Sequence, residues 1–573
     1  MNQERREIVM LWYKYIKPYR KQAITGFIFK MIEAFFELVV PLVVANIIDY
    51  GIGNNDSHYI IKMGIILFLL TFVGYGCALI CQYFASYTSQ SFGTLLRNDM
   101  YEAINKYDYA NIDEVGTPSL ITRLTNDIVQ LQLAVAMAIR LVSRSPFLII
   151  GSLIMAFRID VTMALIFVVT APLLAFVIYL VISKSTPMYL KIQQQLDKVS
   201  LLTRENLSGM RVIRAFSRQK QEKERFDQMT QEQKEMQIRV GKISALMNPT
   251  TNIIINIAIV VILYAGGIRV SLGTLSQGDI VALINYMNQI LFSMFVFANV
   301  IVIFNKASAS YKRVEEVLDI QPSILEKEGD IEELIAPIVS FKDVSFYYQG
   351  NIALNHVSFD VLENETIGII GGTGSGKTTL VNLIPRFYDV SHGEILIKGV
   401  PIQNYHLHDL RNKMGIVPQK AILFTGSIRE NMKWGKKDAS DEEIKEALML
   451  AQASSFCDKL DTQIVQDGKN LSGGQRQRLT IARALVRKPE ILILDDSASA
   501  LDFSTDAALR KALKTIDSTI FIVSQRVSSI MHADKIIVLS HGEIVGLGSH
   551  EELLKKCDVY KEIAHSQLSG EEK

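Results

Sequence analysis

The second half of the chain contains a glycine-rich run that could bind a phosphate chain. It follows an apolar stretch at 366–370 and fits the pattern G-x4-G-K-[ST]. In such a run the glycines let backbone N–H groups surround the phosphates, the lysine reaches the β- and γ-phosphates, and the hydroxyl faces Mg²⁺. A chance glycine-rich turn is the alternative, but the predicted strand before the run and the predicted helix after it argue against that. The predicted nucleotide-binding residues are Gly371, Gly372, Thr373, Gly374, Ser375, Gly376, Lys377, Thr378 and Thr379.

Two acids close a second apolar strand, 491–494, further along the chain. Asp495 stands where many phosphate-handling enzymes hold Mg²⁺, and together with Thr378 it predicts a magnesium site. Asp496 stands where a base that activates water is expected. Two solvated acids at the end of a strand are the alternative, and the nearby phosphate loop favours the metal site.

A third run, 471–478, lies between the other two. Its serine hydroxyl and glycine amides would open a helix, which makes a second place where an anion could bind. Its first five residues are Leu471, Ser472, Gly473, Gly474 and Gln475.

The composition requires both a membrane part and a soluble part. The chain has 573 residues, too many for one compact domain, and is 49% hydrophobic yet 21% charged. Lys and Arg number 60 and Asp and Glu number 59, so no basic excess indicates nucleic acid as a partner. The four cysteines are scattered, without zinc-like or disulfide spacing, which fits a cytosolic or intramembrane setting.

Six apolar stretches are long enough to cross a bilayer, which takes about 20 residues of helix. The predicted spans are 23–48, 63–87, 139–157, 161–183, 246–267 and 280–304. The inner connections, 88–138 and 184–245, are long and rich in Lys and Arg, which predicts that both termini are cytoplasmic. Their helical periodicity predicts that the spanning helices continue into the cytosol. The polar, basic start of the chain does not resemble a cleaved signal peptide.

The predicted architecture is therefore multidomain. An all-α, six-helix transmembrane domain occupies 1–320, an acidic linker 321–337, and an α/β P-loop domain 338–573. Within the last, 339–348 and 353–361 are predicted strands.

With the 471–475 run between the two phosphate-handling motifs, the chain resembles an ATP-binding cassette (ABC) exporter half-transporter over its whole length. The resemblance implies two cassettes that meet head to tail, each ATP being held by the phosphate loop of one chain and the signature, 471–475, of the other. It implies that Tyr348 stacks on adenine, although a packing role between strands is the alternative. It also implies that Gln419 contacts Mg²⁺ and the attacking water, and that Asp502 crosses the interface between cassettes; for both, an ordinary surface loop is the alternative.

Three positions depart from that family's pattern. Asp496 replaces a glutamate base, Gln525 replaces the switch histidine, and Gln466 replaces an acidic residue before the signature. Losing one methylene withdraws the base by about 1.5 Å, and glutamine carries no charge and does not titrate. The pattern resembles the degenerate subunit of a heterodimeric exporter, whose partner would be a second ABC half-transporter with the missing Glu and His. Neutral drift in a working homodimer is the alternative.

The family resemblance also places the coupling segments at 117–127 and 205–216. Polar side chains inside spans predict a cavity for a substrate, since lipid-facing ones are costly. The predicted cavity residues are Asn252, Asn256, Asn285, Gln289 and Arg140. Hydrogen bonding between helices is the alternative for these residues, as is local ion pairing for the charges at 30, 33 and 37.

The expected function is ATP-driven export of an amphiphilic small molecule, drug-like or lipid, across a bacterial cytoplasmic membrane. A lipid or peptide exporter, or a regulatory ATP-binding subunit that senses or gates without hydrolysis, remains open. No peptidase domain precedes Met1, which makes a processed peptide the less expected cargo. The six spans exclude a soluble cassette such as a DNA-repair ATPase.

Overall fold

The chain folds into two compact units in the computed structural model, which describes residues 14–324, 337–348, 350–457 and 459–568. Among the described residues, the helical unit contains those up to Lys106 and Val115–Ile320. The α/β unit contains Tyr107–Glu114 and the described residues from Gln321 onward. Most of the predicted linker, 321–337, lies outside the described residues.

The six predicted spans are confirmed, and each belongs to a helical segment longer than a bilayer requires. The segments are Lys14–Ile52, Ser57–Lys106, Thr117–Ile159, Val161–Ser208, Gln219–Ser271 and Gln277–Asp319. The regular α-helices within and between them are α1 (Arg20–Asn46), α2 (Ser57–Lys106), α3 (Tyr109–Val115), α4 (Thr117–Thr122), α5 (Ile128–Met137), α6 (Arg144–Ile159), α7 (Val161–Ser208), α8 (Met210–Ala215), α9 (Gln219–Ala245), α10 (Met247–Ser271) and α11 (Gln277–Asp319). The helices extend well beyond the apolar stretches, as the charged periodicity predicts.

Polar side chains cap the N-termini of two helices in this unit. Asp160 has extended backbone angles after α6, and its carboxylate accepts from the Met163 N–H at 2.9 Å, which caps α7. Ser276 and Asp279 form a reciprocal capping box at the start of α11. Each cap satisfies N–H groups that have no partner within the helix.

The core of the helical unit joins the first, third, fourth, fifth and sixth segments. Tyr286 on α11 is fully buried, and its hydroxyl donates to the Leu38 carbonyl on α1 at 2.7 Å. A Cβ at Gly151 would stand 2.3 Å from a Leu38 methyl, so a residue with no side chain lets α6 approach α1 closely.

A buried carboxylate ties the third segment to the sixth. Asp127 is 3% exposed and accepts from the Ser310 hydroxyl at 2.9 Å and from Arg313 Nε at 2.8 Å. Arg123 pairs with Glu316 nearby, at 3.1 Å. Since a buried charge is costly unless it is paired, this contact stabilises the association of the two segments at their long, charged ends.

The α/β unit holds twelve strands among its described residues. They are β1 (Val339–Tyr348), β2 (Asn351–Val361), β3 (Thr366–Gly371), β4 (His392–Ile397), β5 (Val400–Pro401), β6 (Met414–Val417), β7 (Gly426–Ser427), β8 (Gln463–Ile464), β9 (Ile491–Asp495), β10 (Thr519–Val523), β11 (Lys535–Ser540) and β12 (Glu543–Gly548). The predicted strands at 339–348 and 491–495 are confirmed, and the one predicted at 353–361 begins two residues earlier.

Its helices alternate with these strands. They are α12 (Lys377–Leu383), α13 (Leu407–Asn412), α14 (Ile428–Lys433), α15 (Asp441–Leu450), α16 (Gly473–Leu485), α17 (Phe503–Leu513), α18 (Val527–Ile530), α19 (His550–Lys556) and α20 (Asp558–Leu568). A six-stranded sheet has the order β12-β11-β3-β10-β9-β6, and only β12 runs antiparallel to its neighbour. An antiparallel sheet, β2-β1-β4-β5, forms the second layer.

Strand β9 is apolar from Ile491 to Leu494 because both of its faces are covered. Ile491 and Ile493 belong to the core that packs toward the antiparallel sheet, whereas Leu492 and Leu494 belong to the core that packs toward α16. Successive side chains point to opposite faces, so a strand covered on both faces must be apolar at every position.

The predicted first coupling segment lies close to a boundary between the two units in the chain. Residues 117–127 lie in the helical unit, whereas Tyr107–Glu114, just before them, belongs to the α/β unit. Gly116 separates α3 from α4 with a φ of +79°, in the left-handed region that favours glycine. In the second predicted segment, 205–216, α7 ends and α8 begins, and Phe216 is 73% exposed.

Candidate nucleotide site

Four neighbouring parallel strands deliver the predicted site residues to one edge of the sheet. The phosphate loop follows β3, Gln525 follows β10, Asp495 ends β9, and Gln419 follows β6. Because the carboxyl ends of parallel strands meet at the same edge, residues more than 150 positions apart in the chain become neighbours. This edge is where open α/β sheets bind their ligands.

The phosphate loop needs glycine at two places for different reasons. Gly376 has a φ of +98°, and a Cβ there would meet the Ala353 carbonyl oxygen at 2.5 Å. At Gly371 a Cβ would stand 2.2 Å from the Leu539 carbonyl oxygen on β11. The loop is therefore held between β2 and β11, with backbone packed too closely for any side chain at these two positions.

Lys377 lies across this loop. Its Nζ donates to the carbonyl oxygens of Gly371 and Gly372 at 3.0 and 2.7 Å. Burial lowers the pKa of Lys377 from its ordinary value, and the nearby carboxylates of Asp496 and Asp495 oppose that shift. A buried ammonium held against the loop is positioned to meet the negative charge of a phosphate chain.

Thr378 and Asp495 converge on one point. The threonine Oγ1 donates to Asp495 Oδ1 at 3.2 Å, and Asp495 is only 5% exposed. Burial raises the pKa of Asp495, while the hydrogen bond from Thr378 opposes the rise. A hydroxyl and a carboxylate oxygen at this separation, at the edge of a phosphate-binding loop, match the oxygen ligands that Mg²⁺ prefers.

Asp496 takes a less common backbone conformation. Its φ is +47°, which aspartate tolerates better than most residues, and its N–H donates to the Val523 carbonyl at 3.0 Å. Gln419 Nε2 lies 3.5 Å from Asp496 Oδ2, the outer limit of a hydrogen bond. Burial raises the pKa of Asp496, and the contacts with Gln419 and Lys377 oppose it. The structure thus brings Asp496 and Gln419, two of the three predicted catalytic residues, to the edge of the sheet where Asp495 lies.

The loop that carries Gln525 is held by a residue that the sequence did not indicate. The side-chain amide of Gln567, on α20, accepts from the Val527 N–H at 2.8 Å and donates to the Gln525 carbonyl at 2.7 Å. Both bonds involve the backbone of the loop. The side chain of Gln525 is exposed. No sequence motif marks a glutamine 42 positions away as its partner.

The signature residues form a helix start on a different part of the unit. Ser472 caps α16: its Oγ accepts from the Gln475 N–H at 3.2 Å, and Gln475 Oε1 accepts from the Ser472 N–H at 2.8 Å. Ser472 and Gly473 are exposed, whereas Leu471 and Gly474 are partly buried. A Cβ at Gly474 would come within 3.0 Å of the Ala500 carbonyl oxygen.

Asp502 caps the helix that follows β9. Its carboxylate accepts from the Thr505 N–H at 2.7 Å and from the Ser504 hydroxyl at 2.7 Å. The hydrogen bond from the Thr505 N–H, followed by those from the two hydroxyls, lowers the pKa of Asp502 to about 2. The carboxylate is therefore charged at any physiological pH and is exposed on the surface.

Tyr348 ends β1 beside the phosphate loop. It pairs with Asn351 across the β1–β2 hairpin, and the same hairpin brings Ala353 against Gly376. Its ring packs edge to face with Phe346 and Tyr388, with centroid distances of 4.7 and 5.4 Å. The structure therefore shows packing within the unit and, at the same time, an aromatic ring next to the place where the loop would hold a phosphate chain.

The residues predicted to line a cavity in the helical unit have unequal environments. Gln289 accepts from the Ser152 hydroxyl at 3.0 Å, which is the interhelical bonding that the alternative expected. Asn285 donates to a carbonyl of its own helix at 3.0 Å. Asn252 and Asn256 share an exposed face of α10, and Arg140 has a buried Nε without a hydrogen-bond partner among the described residues.

Six spanning helices joined to a P-loop unit with a cassette signature define a membrane transport ATPase. Comparison with known proteins confirms this class. The family model of the ABC transporter transmembrane region matches residues 23–294, and the family model described as ABC transporter matches residues 354–499.

The chain belongs to the ABC transporter family. It is 37% identical to the uncharacterized ABC transporter ATP-binding protein YfiB of Bacillus subtilis, over 97% of this chain and 98% of that protein. It is 31% identical to the ATP-dependent lipid A-core flippase of Vibrio parahaemolyticus, over 97% of both chains. It shares its fold with a bacterial Atm1-family ABC exporter solved with ATP bound, with a TM-score of 0.79, 21% identity and coverage of 96% of this chain and 99% of that one. It is a multi-pass membrane exporter half with an ATPase domain.

Proposed function

We propose that this chain is the degenerate half of a heterodimeric ABC exporter of amphiphilic small molecules in a cytoplasmic membrane, with both termini in the cytoplasm. Its own ATP site binds nucleotide and hydrolyses it slowly. Its signature, 471–475, completes the catalytic site of a second half-transporter. The observation that carries the proposal is Asp496, a short carboxylate in the position of the water-activating base.

The binding half of the site is complete. Tyr348 would stack on adenine, Lys377 would meet the β- and γ-phosphates, and Thr378, Asp495 and Gln419 would hold Mg²⁺. When bound, Mg²⁺ neutralises charge on the phosphates. The chain's own residues would orient the bound nucleotide. The loop between β2 and β11 would hold the phosphates in place, and the buried Asp495 would hold Mg²⁺ together with Thr378.

The hydrolytic half of the site is weakened at two adjoining points. Asp496 is one methylene shorter than a glutamate, which withdraws its carboxylate by about 1.5 Å, and a general base must stand within about 2.6–3.2 Å of the atom whose proton it removes. Gln525 offers an amide where an imidazole would organise the water and the γ-phosphate, and the amide has no basic nitrogen. Together these features support a site that binds ATP and hydrolyses it slowly.

The signature has no such departure. Ser472 and its capping box present a hydroxyl and glycine amides on an exposed helix start, and Asp502 stands exposed and charged nearby in the chain. An exposed, intact signature has a use only opposite the phosphate loop of another cassette. This favours a working transporter half over a regulatory ATP-binding subunit.

The pairing is tested by purifying the chain alone and together with a second half-transporter from the same organism whose cassette carries the Glu and His that are replaced here. We expect little phosphate release from the chain alone and robust release from the pair. Changing the catalytic Glu of the second half to Gln should abolish turnover, whereas Asp496→Asn should change it little. Turnover by the isolated chain equal to that of the pair would refute the proposal.

The amphiphilic cargo is supported by polar side chains on otherwise apolar spans, with Asn252 and Asn256 exposed among apolar neighbours on α10. The similarity to a protein named as a lipid A-core flippase fits a lipid-like amphiphile. The test is transport of ethidium and of a fluorescent phospholipid by the Asn252→Leu/Asn256→Leu variant. An Ile253→Leu variant of the same helix is the control. Unchanged transport of both probes in the double variant would contradict a cavity at this face.

A further inference from the structure

A buried tyrosine connects the predicted adenine site to a remote part of the chain. Tyr388 is 8% exposed and lies between Tyr348 and the segment Tyr107–Glu114. Its ring meets the Tyr348 ring edge to face, with centroids 5.4 Å apart and an interplanar angle of 85°. Its hydroxyl donates to Asp113 Oδ2, on α3, at 2.7 Å.

The rest of the segment is held by the same group of rings. Tyr109 stacks on Phe387 with centroids 4.3 Å apart and lies 6.0 Å from Tyr388. Arg411 covers the Phe387 ring at 5.3 Å. We call Tyr348, Phe387, Tyr388, Tyr109 and Asp113 the aromatic relay.

The other end of the segment is anchored as well. Asp108 accepts from the Asn111 N–H at 2.9 Å, which begins α3, and from the Ser323 N–H at 2.6 Å. Segment 107–114 directly follows α2, and Ser323 comes shortly after α11 ends. A small movement of this segment therefore acts on the chain where two of the six spanning segments end.

We infer that Tyr388 is a positioning residue through which adenine stacked on Tyr348 orders the segment Tyr107–Glu114. The inference rests on the proposed nucleotide site. An adenine on one face of Tyr348 restricts that ring, and the ring restricts Tyr388 because the two are in direct edge-to-face contact. Tyr388 is then held in the rotamer that bonds Asp113. By linkage, ordering of the segment must in turn favour adenine binding by the same factor.

Two features make the hydroxyl, rather than the ring alone, the decisive contact. A hydrogen bond to a carboxylate is stronger than one between neutral groups, and this one is largely shielded from water because Tyr388 is buried. Tyr388 also keeps its proton: burial, with its bonds to Asp113 and Tyr348, raises its pKa above the ordinary value. The donor is thus always available.

The test compares two ligands that differ only by the adenosine group, Mg·ADP and Mg·pyrophosphate, on the full chain in lipid nanodiscs. Neither carries the γ-phosphate that would close a cassette pair. Hydrogen–deuterium exchange is measured in peptides covering 371–379 and 107–115, at ligand concentrations that protect 371–379 equally. We expect Mg·ADP to slow exchange in 107–115 about 10-fold, the size of a typical coupling between sites, and Mg·pyrophosphate to leave it unchanged.

Variants then isolate the hydroxyl. Tyr388→Phe should abolish the effect of Mg·ADP on 107–115 while protection of 371–379 persists, and Asp113→Leu should do the same. Tyr405→Phe is the matched control, since Tyr405 is 1% exposed and its hydroxyl donates at 3.0 Å to Ile397, away from the segment; it should behave as the unaltered chain.

Protection of 107–115 by Mg·ADP in Tyr388→Phe at the unaltered level would overturn the inference, as would equal protection by Mg·pyrophosphate. If Mg·ADP failed to protect 371–379 in the unaltered chain, the proposed nucleotide site itself would be wrong. The two failures are therefore distinguished by separate peptides in one experiment.

Discussion

Lengthening the side chain at position 496 should raise the rate at which this site hydrolyses ATP. In Asp496→Glu the carboxylate extends by one methylene, about 1.5 Å. Asp496 follows β9 with a φ of +47° and an N–H bonded to Val523. The backbone that aims the side chain is thus fixed by the sheet, so the added length carries the carboxylate outward from this edge.

The size of the gain follows from the role of a general base. Correct placement of such a base contributes about 10²–10⁴-fold to the rate. Asp496→Glu repairs placement alone and leaves Gln525 in the switch loop, so we expect a gain that does not exceed the lower limit of that range, about 10- to 100-fold in kcat. That corresponds to about 1.4–2.8 kcal/mol of barrier. Adding Gln525→His should bring a further gain, of about 10-fold.

The assay is phosphate release by the isolated chain in nanodiscs at saturating Mg·ATP. Two identical chains would bring an intact signature to each repaired site, so no second half-transporter is required. KM should stay within about twofold, since the residues that bind ATP are unaltered and the effect is confined to the transition state. Adding Lys377→Ala to Asp496→Glu should remove the gained activity and so identify the site.

The matched variant Asp496→Asn keeps the size of the side chain and removes the base. It should lower the already small rate of the isolated chain by less than about threefold. A fall of 100-fold or more, the range that a general base contributes, would show that Asp496 already works as the base and would refute the reasoning. So would Asp496→Glu that binds ATP normally and turns over no faster.

Three further variants test the loop around Gln525, the cap of the signature helix and the packing of the helical unit. Gln567→Ala removes both bonds to the backbone around Gln525, and we expect faster amide exchange in 524–528 with unchanged exchange in 371–379. Ser472→Ala removes the cap of α16, a loss of about 0.5–2 kcal/mol, and should lower turnover of the pair without weakening ATP binding to this chain, measured by nucleotide photolabelling. Asp127→Ala leaves Arg313 without its buried carboxylate and should lower the melting temperature in detergent, whereas the exposed-site variant Glu102→Ala should not.

The sequence alone was enough to predict the six spans and the strand end that carries Asp495, because both predictions depend on local signals. Twenty apolar residues predict a spanning helix whatever surrounds them. An apolar run that ends in Asp495 predicts a strand that delivers an acid to the carboxyl edge, and β9 is fully buried at all five positions. The strand order β3-β10-β9, which the structure supplies, then brings Thr378 to Asp495.

The aromatic relay and the bonds of Gln567 could not be predicted in that way. Tyr388 follows α12 as one of 21 tyrosines, and its partner Asp113 lies 275 positions earlier in the chain. Periodicity indicates that a residue is buried, but it does not name the residue that it faces. The same limit applies to segment 107–114: no local signal assigns it to the α/β unit, because that assignment depends on contacts such as the stacking of Tyr109 on Phe387.

The two departures at the hydrolytic centre adjoin each other. Asp496 donates its N–H to the Val523 carbonyl, and Gln525 lies two residues beyond that carbonyl, so the two residues follow adjacent parallel strands. The residues proposed to hold the nucleotide belong to β1, to the loop after β3 and to the end of β9 instead. The proposed function therefore assigns binding and hydrolysis to separable parts of one edge, and a change confined to the second part leaves the first intact. On that proposal, the site keeps ATP bound, and keeps segment 107–114 ordered through Tyr388, while a second half-transporter completes many turnovers.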